Sequence, residues 1–205
     1  MITDNDKIIF FGDSITQAGV KRKGYVTLFS AEIKKQLPGK NIEVIGAGIN
    51  GNRVPDLQRR LEKDVLNRKP NLVVIYIGIN DVWHSGMGNG TSEEDFESGL
   101  RDIIKKVQEV DSKVILCTPS VIGEKSNGTN EFDSMLDQYS DISRAVAADT
   151  GSKLLDLRKA FTEELKKTNP TSYSAGVLTS DGVHLNNEGN QFVARQMLAA
   201  IGMSK

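Results

Sequence analysis

A serine, and a histidine with an aspartate close by, are the residues of this sequence that could perform covalent catalysis. Ser14 lies in a Gly-Asp-Ser-Ile motif that follows the apolar run at 7–11. His184 is one of only two histidines, and Asp181 precedes it by three residues. At that spacing a short loop can fold the carboxylate onto the imidazole Nδ1–H, which leaves Nε2 free for a hydroxyl proton. These residue types predict a nucleophile, a base and an orienting acid.

Two further residues could stabilise the oxyanion that forms when an ester carbonyl is attacked. Asn80 follows the third apolar run, and its side-chain amide offers uncharged N–H donors. Gly51 follows the second apolar run, and the absence of a Cβ lets its backbone N–H approach a substrate oxygen. Together with the backbone N–H of Ser14, these groups predict an oxyanion hole with three donors.

Each of these signals has an ordinary structural explanation when it is taken alone. A serine after a strand often caps a helix, and Asn-Gly and Asp-Gly pairs are common turns. The motif also differs from the Gly-x-Ser-x-Gly nucleophile elbow, because Thr16 occupies the position of the second glycine. The joint placement of the residues favours chemistry, since serine, glycine and asparagine each follow a different strand and Asp-x-x-His precedes the last helix.

Apolar runs that alternate with helical stripes must position these residues. Nearly continuous apolar runs predict strands that are buried on both faces, as in a parallel sheet covered by helices. These runs lie at 7–11, 42–45, 72–77, 113–117 and 153–156. Apolar residues spaced by three and four predict helices between them. These helical stripes lie at 26–37, 54–65, 96–107, 132–146 and 192–201. The alternation predicts an α/β fold: a three-layer α/β/α sandwich with a five-stranded parallel sheet, in one domain over 1–205.

Bulk properties exclude several classes of protein. The formal net charge is −1, from 26 basic and 27 acidic residues, so there is no electrostatic argument for binding nucleic acid. The longest apolar run, at 72–79, is far shorter than the ~20 residues of a membrane span. A zinc-type His-x-x-x-His pair is missing from the sequence, and we expect no metal and no cofactor. The chain as given is expected to be cytoplasmic, or secreted or periplasmic if a signal peptide has been removed.

The motifs resemble those of the SGNH hydrolases, also called the GDSL esterase/lipase family. Residues 12–15 resemble its first block, Gly51 the glycine of its second, and Asn80 the asparagine of its third. Asp181 and His184 resemble its Asp-x-x-His block, so all four blocks occur in order across essentially the whole chain. The resemblance implies a flavodoxin-like fold and assigns the nucleophile, the base with its orienter, and the oxyanion hole to the residues already named.

Two departures from the family pattern bear on substrate preference. Gly46 stands where many members carry asparagine, and Asn52 stands where an acidic residue is frequent. Trp83, His84 and Leu178 are predicted to contact substrate, which we expect to be a small-molecule ester.

The two long loops, at 119–130 and 168–183, are mostly polar. This composition favours short acyl esters, such as acetyl esters, of a polar alcohol such as a carbohydrate. A lysophospholipase or thioesterase of the same family is the alternative, and a non-catalytic flavodoxin-like binding module is the alternative from another class.

Overall fold

The computed structural model describes residues 2–203 and arranges five strands in one parallel sheet. The strands are β1 (Lys7–Gly12), β2 (Glu43–Gly48), β3 (Leu72–Tyr76), β4 (Lys113–Cys117) and β5 (Lys153–Leu155). Their order across the sheet is β2-β1-β3-β4-β5. This is the order of flavodoxin-like sheets, in which the winding direction reverses between β1 and β3. Sites in such folds lie at the carboxyl ends of the strands beside that reversal.

Within residues 2–203 there are eight α-helices; the first six lie between strands in the sequence, and the last two follow β5. They are α1 (Ser14–Gly19), α2 (Tyr25–Gln36), α3 (Val54–Asp64), α4 (Ile79–Trp83), α5 (Glu93–Gln108), α6 (Asp133–Thr150), α7 (Leu157–Thr168) and α8 (Asn187–Ala200). Helix α2 packs against α8, whereas α5 contacts both α3 and α6. The rings of Phe161 in α7 and Phe192 in α8 lie 5.2 Å apart. Helices cover both faces of the sheet, so the predicted α/β/α sandwich is confirmed.

The central strands are buried on both faces, as their continuous apolar sequence predicts. Every residue from Ile8 to Phe11 in β1 is fully buried. Phe10 packs edge-to-face against Phe29, with ring centroids 5.0 Å apart, and against Tyr25 at 5.6 Å. Burial of one such side chain stabilises the fold by about 1.5–3 kcal/mol relative to leaving it in water. This packing makes β1 a rigid base for the residues that follow it.

Strand β2 is longer than the sequence predicts, and the reason is its contact with α1. The apolar pattern ends at residue 45, yet Gly46 pairs in register with Phe10, and the strand continues to Gly48. A Cβ at Gly46 would lie 2.1 Å from Cγ1 of Val20, which follows α1. Because Gly46 has no Cβ, Val20 and the end of α1 can lie directly on the strand. Close packing between α1 and β2 therefore explains why this chain departs from the family pattern at Gly46.

Three of the observed helices were not predicted from the sequence; they are α7 and the two short helices α1 and α4. Five or six residues are too few to display a helical period, which explains the short ones. In α7 the period is present, because Leu157, Phe161 and Leu165 are buried at spacings of four. Ser92 caps α5, since its hydroxyl accepts the backbone N–H of Asp95. Across the described residues, the helices fall short of the length and apolarity that a bilayer span needs.

Candidate active site

The predicted nucleophile lies at the carboxyl edge of the sheet, where β1 turns directly into α1. Asp13 caps α1, and its Oδ1 accepts the backbone N–H of Ile15 at 2.9 Å. A Cβ at Gly12 would lie 2.3 Å from the carbonyl oxygen of Tyr76 in β3, so only glycine permits this tight turn. Ser14 is half-buried as the first residue of α1, a position whose backbone N–H has no acceptor within the helix.

Ser14, His184 and Asp181 form one row of hydrogen bonds. Ser14 Oγ lies 3.0 Å from His184 Nε2, and His184 Nδ1 lies 2.7 Å from Asp181 Oδ2. An ionised carboxylate only accepts hydrogen bonds, so Nδ1 carries the proton of the neutral ring. Nε2 is then the acceptor for the Ser14 hydroxyl. The structure thus brings together the three side chains that the sequence proposes for acyl transfer.

The environment of Asp181 keeps its carboxylate ionised. Partial burial acts to raise the pKa of Asp181, but hydrogen bonds from the His184 ring and from the backbone N–H groups of His184 and Val183 outweigh it. The backbone donors reach Oδ1 at 2.7 Å from His184 and 3.0 Å from Val183. The pKa of Asp181 therefore lies below its ordinary value, and the negative charge persists beside the imidazole.

The side-chain amide of Asn80 is held in a fixed orientation. Asn80 is only 5% exposed, and its Nδ2 donates to the backbone carbonyl of Asn52 at 3.0 Å. Its neighbour Asp81 fixes α4 against α3, because Asp81 Oδ1 accepts the backbone N–H of Val54 at 3.0 Å. An asparagine amide carries two N–H groups. One is used by Asn52, which leaves the other for a substrate oxygen.

Gly51 adopts a conformation that favours glycine. Its φ is +75°, in the left-handed region, and no heavy atom lies within 4 Å of the place where a Cβ would stand. The backbone, rather than crowding, is therefore what requires glycine here. The loop is tied to α1, because the N–H of Asn50 donates to Oε1 of Gln17 at 2.7 Å. Gly51 borders open space next to the segment that holds Asn80.

Arg60 is a residue of this region that sequence analysis missed. Its guanidinium donates to the carbonyl of Gly12 at 2.7 Å and to the side-chain oxygen of Asn52 at 2.7 Å. It also pairs with Asp64 at 2.9 Å and lies 4.4 Å from the ring centre of Phe11. One side chain on α3 therefore connects the turn before Ser14 with the loop that orients Asn80. Asn52 is the second residue that departs from the family pattern, and the oxygen of its side-chain amide accepts this hydrogen bond from Arg60.

Two buried carboxyl groups accompany Ser14 and Asn80 in the sequence. Burial raises the pKa of Asp13 to about 7, against the hydrogen bond from Ile15, and the nearby charge of Asp81 adds to the rise. Burial likewise raises the pKa of Asp81 to about 6. These shifts mean that the folded protein holds protons near the site that the unfolded chain releases at lower pH.

The three predicted substrate contacts have different positions. Trp83 ends α4, three residues after Asn80, and is 37% exposed. His84 follows it and is half-buried. Leu178 is 5% exposed and belongs to the hydrophobic core. The side chain of Leu178 therefore packs among other apolar residues, and its predicted contact with substrate stays a prediction.

The fold and the row of hydroxyl, imidazole and carboxylate define a class: a serine hydrolase built on a flavodoxin-like sandwich. The family model described as "GDSL-like Lipase/Acylhydrolase family" matches residues 10–192. The chain belongs to this family, as the motifs indicated, and is a carboxylic ester hydrolase. The alternative of a non-catalytic binding module is therefore rejected.

Known relatives cover nearly the whole chain. A crystal structure of an acetyl xylan esterase superposes with a TM-score of 0.92 at 47% identity, covering 95% of this chain and 99% of that one. The acetylxylan esterase of Geobacillus stearothermophilus is 33% identical, over 98% of this chain and 96% of its own length. Its crystal structure has a TM-score of 0.88, covering 99% of this chain and 97% of that one. Forms of that enzyme described as catalytic mutants replace a serine or a histidine with alanine.

A more distant relative is also named after an acetate ester. The isoamyl acetate-hydrolyzing esterase 1 homolog of Mus musculus is 25% identical, over 91% of this chain and 78% of its own length.

Proposed function

We propose that this protein removes acetyl groups from an acetylated carbohydrate through an acyl-enzyme on Ser14. The observation that carries the proposal is the continuous row from Ser14 Oγ to His184 Nε2 at 3.0 Å and from His184 Nδ1 to Asp181 at 2.7 Å. A serine hydroxyl is a weak nucleophile unless a positioned base takes its proton. This row supplies that base in the required tautomer.

The proposed reaction has two halves. Ser14 Oγ attacks the ester carbonyl carbon while its proton moves to His184 Nε2, and the carbonyl oxygen becomes an oxyanion. The Ser14 N–H, the Gly51 N–H and the free Asn80 N–H donate to that oxygen. The intermediate then collapses, the carbon–oxygen bond to the alcohol breaks, and His184 protonates the departing alcohol.

Water completes the cycle. A water molecule gives a proton to His184 and attacks the acetyl-Ser14 carbonyl, which regenerates the oxyanion in the same hole. Collapse of this second intermediate returns the proton from His184 to Ser14 Oγ and releases acetate. The negative charge of Asp181 stabilises the imidazolium in both halves. Each step uses only protein groups, the ester and water.

Acetate as the acyl group is supported by the three relatives described above, whose names specify acetyl or acetate esters. The carbohydrate alcohol is supported by the acetylxylan esterases among them, which cover the chain almost completely. We propose that Trp83 and His84 contact the alcohol part, because they continue the segment that carries Asn80 and the Trp83 ring is partly exposed. An exposed aromatic face suits the apolar face of a sugar ring.

We also propose that residues 1–205 form one domain. The support is a single cluster of buried side chains within the described residues. It draws on β1, β3, β4, β5 and helices of both layers, and partly buried residues of β2 pack against it.

The test of the proposed function is a comparison of Ser14→Ala with Ser98→Ala, an exposed serine on α5. Acetate release from acetylated xylo-oligosaccharides and labelling by a fluorophosphonate probe are measured for both proteins. We expect Ser14→Ala to lose labelling and to lower kcat by roughly 10⁶-fold, as for other serine nucleophiles. Ser98→Ala should match the wild type. Labelling and turnover that survive in Ser14→Ala would refute the proposed nucleophile.

A further inference from the structure

The segment that carries Asp181 and His184 has almost no regular structure of its own. Between the end of α7 and the start of α8 it consists of turns and bends, with one isolated antiparallel bridge between Thr179 and Leu185. Such a segment fluctuates unless other groups hold it. A hydrogen-bonded row requires positions fixed to a fraction of an ångström. Some contact outside the segment must therefore supply that order.

Glu124 is a buried carboxylate that binds this segment directly. Its side chain is fully buried, in the connection between β4 and α6. Oε2 accepts the backbone N–H of Val177 at 2.8 Å. Oε1 accepts the N–H groups of Leu178 at 2.6 Å and Thr179 at 2.5 Å. Within residues 2–203, the ion pairs of the structure do not include Glu124, so these three N–H groups compensate its buried charge.

The contacts continue from these amides to the two proposed catalytic side chains. Thr179 Oγ1 accepts the N–H of Gly182 at 3.0 Å, and the N–H of Ser180 donates to the carbonyl of His184 at 2.8 Å. Gly123, the neighbour of Glu124, also binds this segment, because its N–H donates to the carbonyl of Gly182 at 2.8 Å. Two adjacent residues of the β4–α6 connection thus hold the segment on both sides of Asp181.

We propose that Glu124 is a positioning residue for the Asp181–His184 pair. By fixing three consecutive amides, its carboxylate sets the path of the backbone into the turn that places the His184 ring 3.0 Å from Ser14. It acts through the segment and touches no reacting atom. This inference rests on the proposed roles of Ser14 and His184, and goes beyond them by naming what orders the pair.

The decisive variant is Glu124→Gln, which keeps the size and shape of the side chain. A glutamine amide has one acceptor oxygen, which can serve Leu178 and Thr179, but its NH₂ group then faces the N–H of Val177. Two donors cannot bond to each other, so the segment must shift. We expect kcat to fall roughly 10- to 100-fold with KM nearly unchanged, because small misplacements of catalytic groups have effects of this size. Glu124→Ala should lower kcat further.

A matched control separates positioning from general loss of stability. Val146→Ala removes buried side-chain volume near the end of α6 and leaves the Glu124 contacts in place. Thermal unfolding of each variant sets the assay temperature, so that all are fully folded. We expect Val146→Ala to keep the wild-type kcat even if its Tm falls as far as that of Glu124→Gln.

The second readout is the proton NMR resonance of the His184 Nδ1–H in its hydrogen bond to Asp181. The chain has only two histidines, so His184→Ala assigns the signal. We expect the resonance to shift or broaden in Glu124→Gln and to be unchanged in Val146→Ala. A folded Glu124→Gln protein with wild-type kcat and an unshifted resonance would overturn the inference while Ser14→Ala still abolished activity. Activity surviving in Ser14→Ala would refute the proposed function instead.

Discussion

Asp181 holds His184 by its ring and by its backbone at the same time. Oδ2 accepts the ring Nδ1–H at 2.7 Å, and Oδ1 accepts the His184 backbone N–H at 2.7 Å. The two oxygens of one carboxylate therefore set both the rotation of the imidazole and the turn that presents it. The spacing of three residues makes this double contact possible, which is why the pair could be recognised in the sequence.

Replacement of Asp181 by asparagine tests this contact. The Asn oxygen can still accept the backbone N–H, but its NH₂ group would face the ring and favour the tautomer with Nε2 protonated. Nε2 could then no longer take the Ser14 proton. We expect kcat to fall by roughly 10²–10⁴-fold, the upper value being the known cost of the wrong tautomer in a triad. Steady-state kinetics beside the exposed control Asp141→Asn measures the effect, and unchanged kcat would contradict the proposed role.

Asn80→Ala tests the oxyanion hole. The free N–H of Asn80 should bond most strongly to charge that is fully developed only in the transition state. We expect kcat to fall by roughly 10²–10³-fold with little change in KM. Asn67→Ala, at an exposed position, serves as the control and should behave as the wild type. If KM alone rises, Asn80 binds the substrate and does not stabilise the oxyanion.

Arg60→Met tests the connection between the turn before Ser14 and the loop of Asn52. Methionine keeps much of the apolar stem but leaves the Gly12 carbonyl and the Asn52 side chain without their donor. We expect the free energy of unfolding to fall by about 2–4 kcal/mol, as for other largely buried charged partners, and kcat to fall as well. Arg59→Met is the matched control, because that side chain is mostly exposed and forms its ion pair with Asp56 at the surface. It should change stability by less than about 1 kcal/mol. Equal losses in the two variants, measured by urea unfolding, would contradict the buried role of Arg60.

The sequence was sufficient to predict the sheet and the group of Ser14, His184 and Asp181, because short segments of sequence carry the signals for both. Continuous apolar runs predicted the five strands, and the residues directly after β1 and β3 carried the motifs. Arg60 and Glu124 could not be predicted, because neither belongs to a motif that would link it to its distant partner, which is 48 residues away for Arg60 and Gly12 and 54 residues away for Glu124 and Leu178. An arginine on a helix and a glutamate in a polar connection give no local sign of such contacts. The single-domain organisation and the roles of the site residues stay predictions.

The raised pKa of Asp13 predicts a specific dependence of stability on pH. The carboxyl group titrates near 3.8 when unfolded and at about 7 when folded. Between these values the native state binds more protons than the unfolded state, so the free energy of unfolding decreases as pH rises and the loss is complete above about pH 7. Three pH units at about 1.4 kcal/mol each amount to about 4 kcal/mol.

Asp13→Asn should remove this loss. Its side-chain oxygen can still accept the Ile15 N–H, and an amide has no charge to bury. Relative to the wild type, the variant should gain up to about 4 kcal/mol of stability as pH rises from 4 to 8. Urea unfolding at several pH values measures the difference between the two proteins, which cancels the other titrating groups. Parallel curves for the two proteins would show that Asp13 is ionised in the folded state throughout this range.

The loops around the site predict a short acyl group. The connections at 119–130 and 168–183 contain few large apolar side chains, and the structure uses most of them in packing. Val121, Ile122 and Leu178 are buried in the core and Val177 packs partly against it, which leaves Tyr173 as the large side chain of these connections that is mostly exposed. A long-chain site must shelter many methylenes, each worth about 0.8 kcal/mol when it is buried. Little material for such shelter remains in these loops.

We therefore expect acetyl esters to be cleaved far better than octanoyl or longer esters. A series of p-nitrophenyl esters from two to ten carbons, assayed below the micelle concentration, measures kcat/KM against acyl length. The contribution of the alcohol part is measured separately, with acetylated xylo-oligosaccharides as the substrate. If the indole contacts the sugar, Trp83→Ala should raise KM for this substrate more than it lowers kcat. Because the acyl and alcohol groups bind on opposite sides of the ester carbonyl, Trp83→Ala should leave the acyl-length profile unchanged. A steady rise of kcat/KM from two to ten carbons would contradict the acetyl preference and favour a lysophospholipase or thioesterase, since only an apolar trench gains free energy from every added methylene.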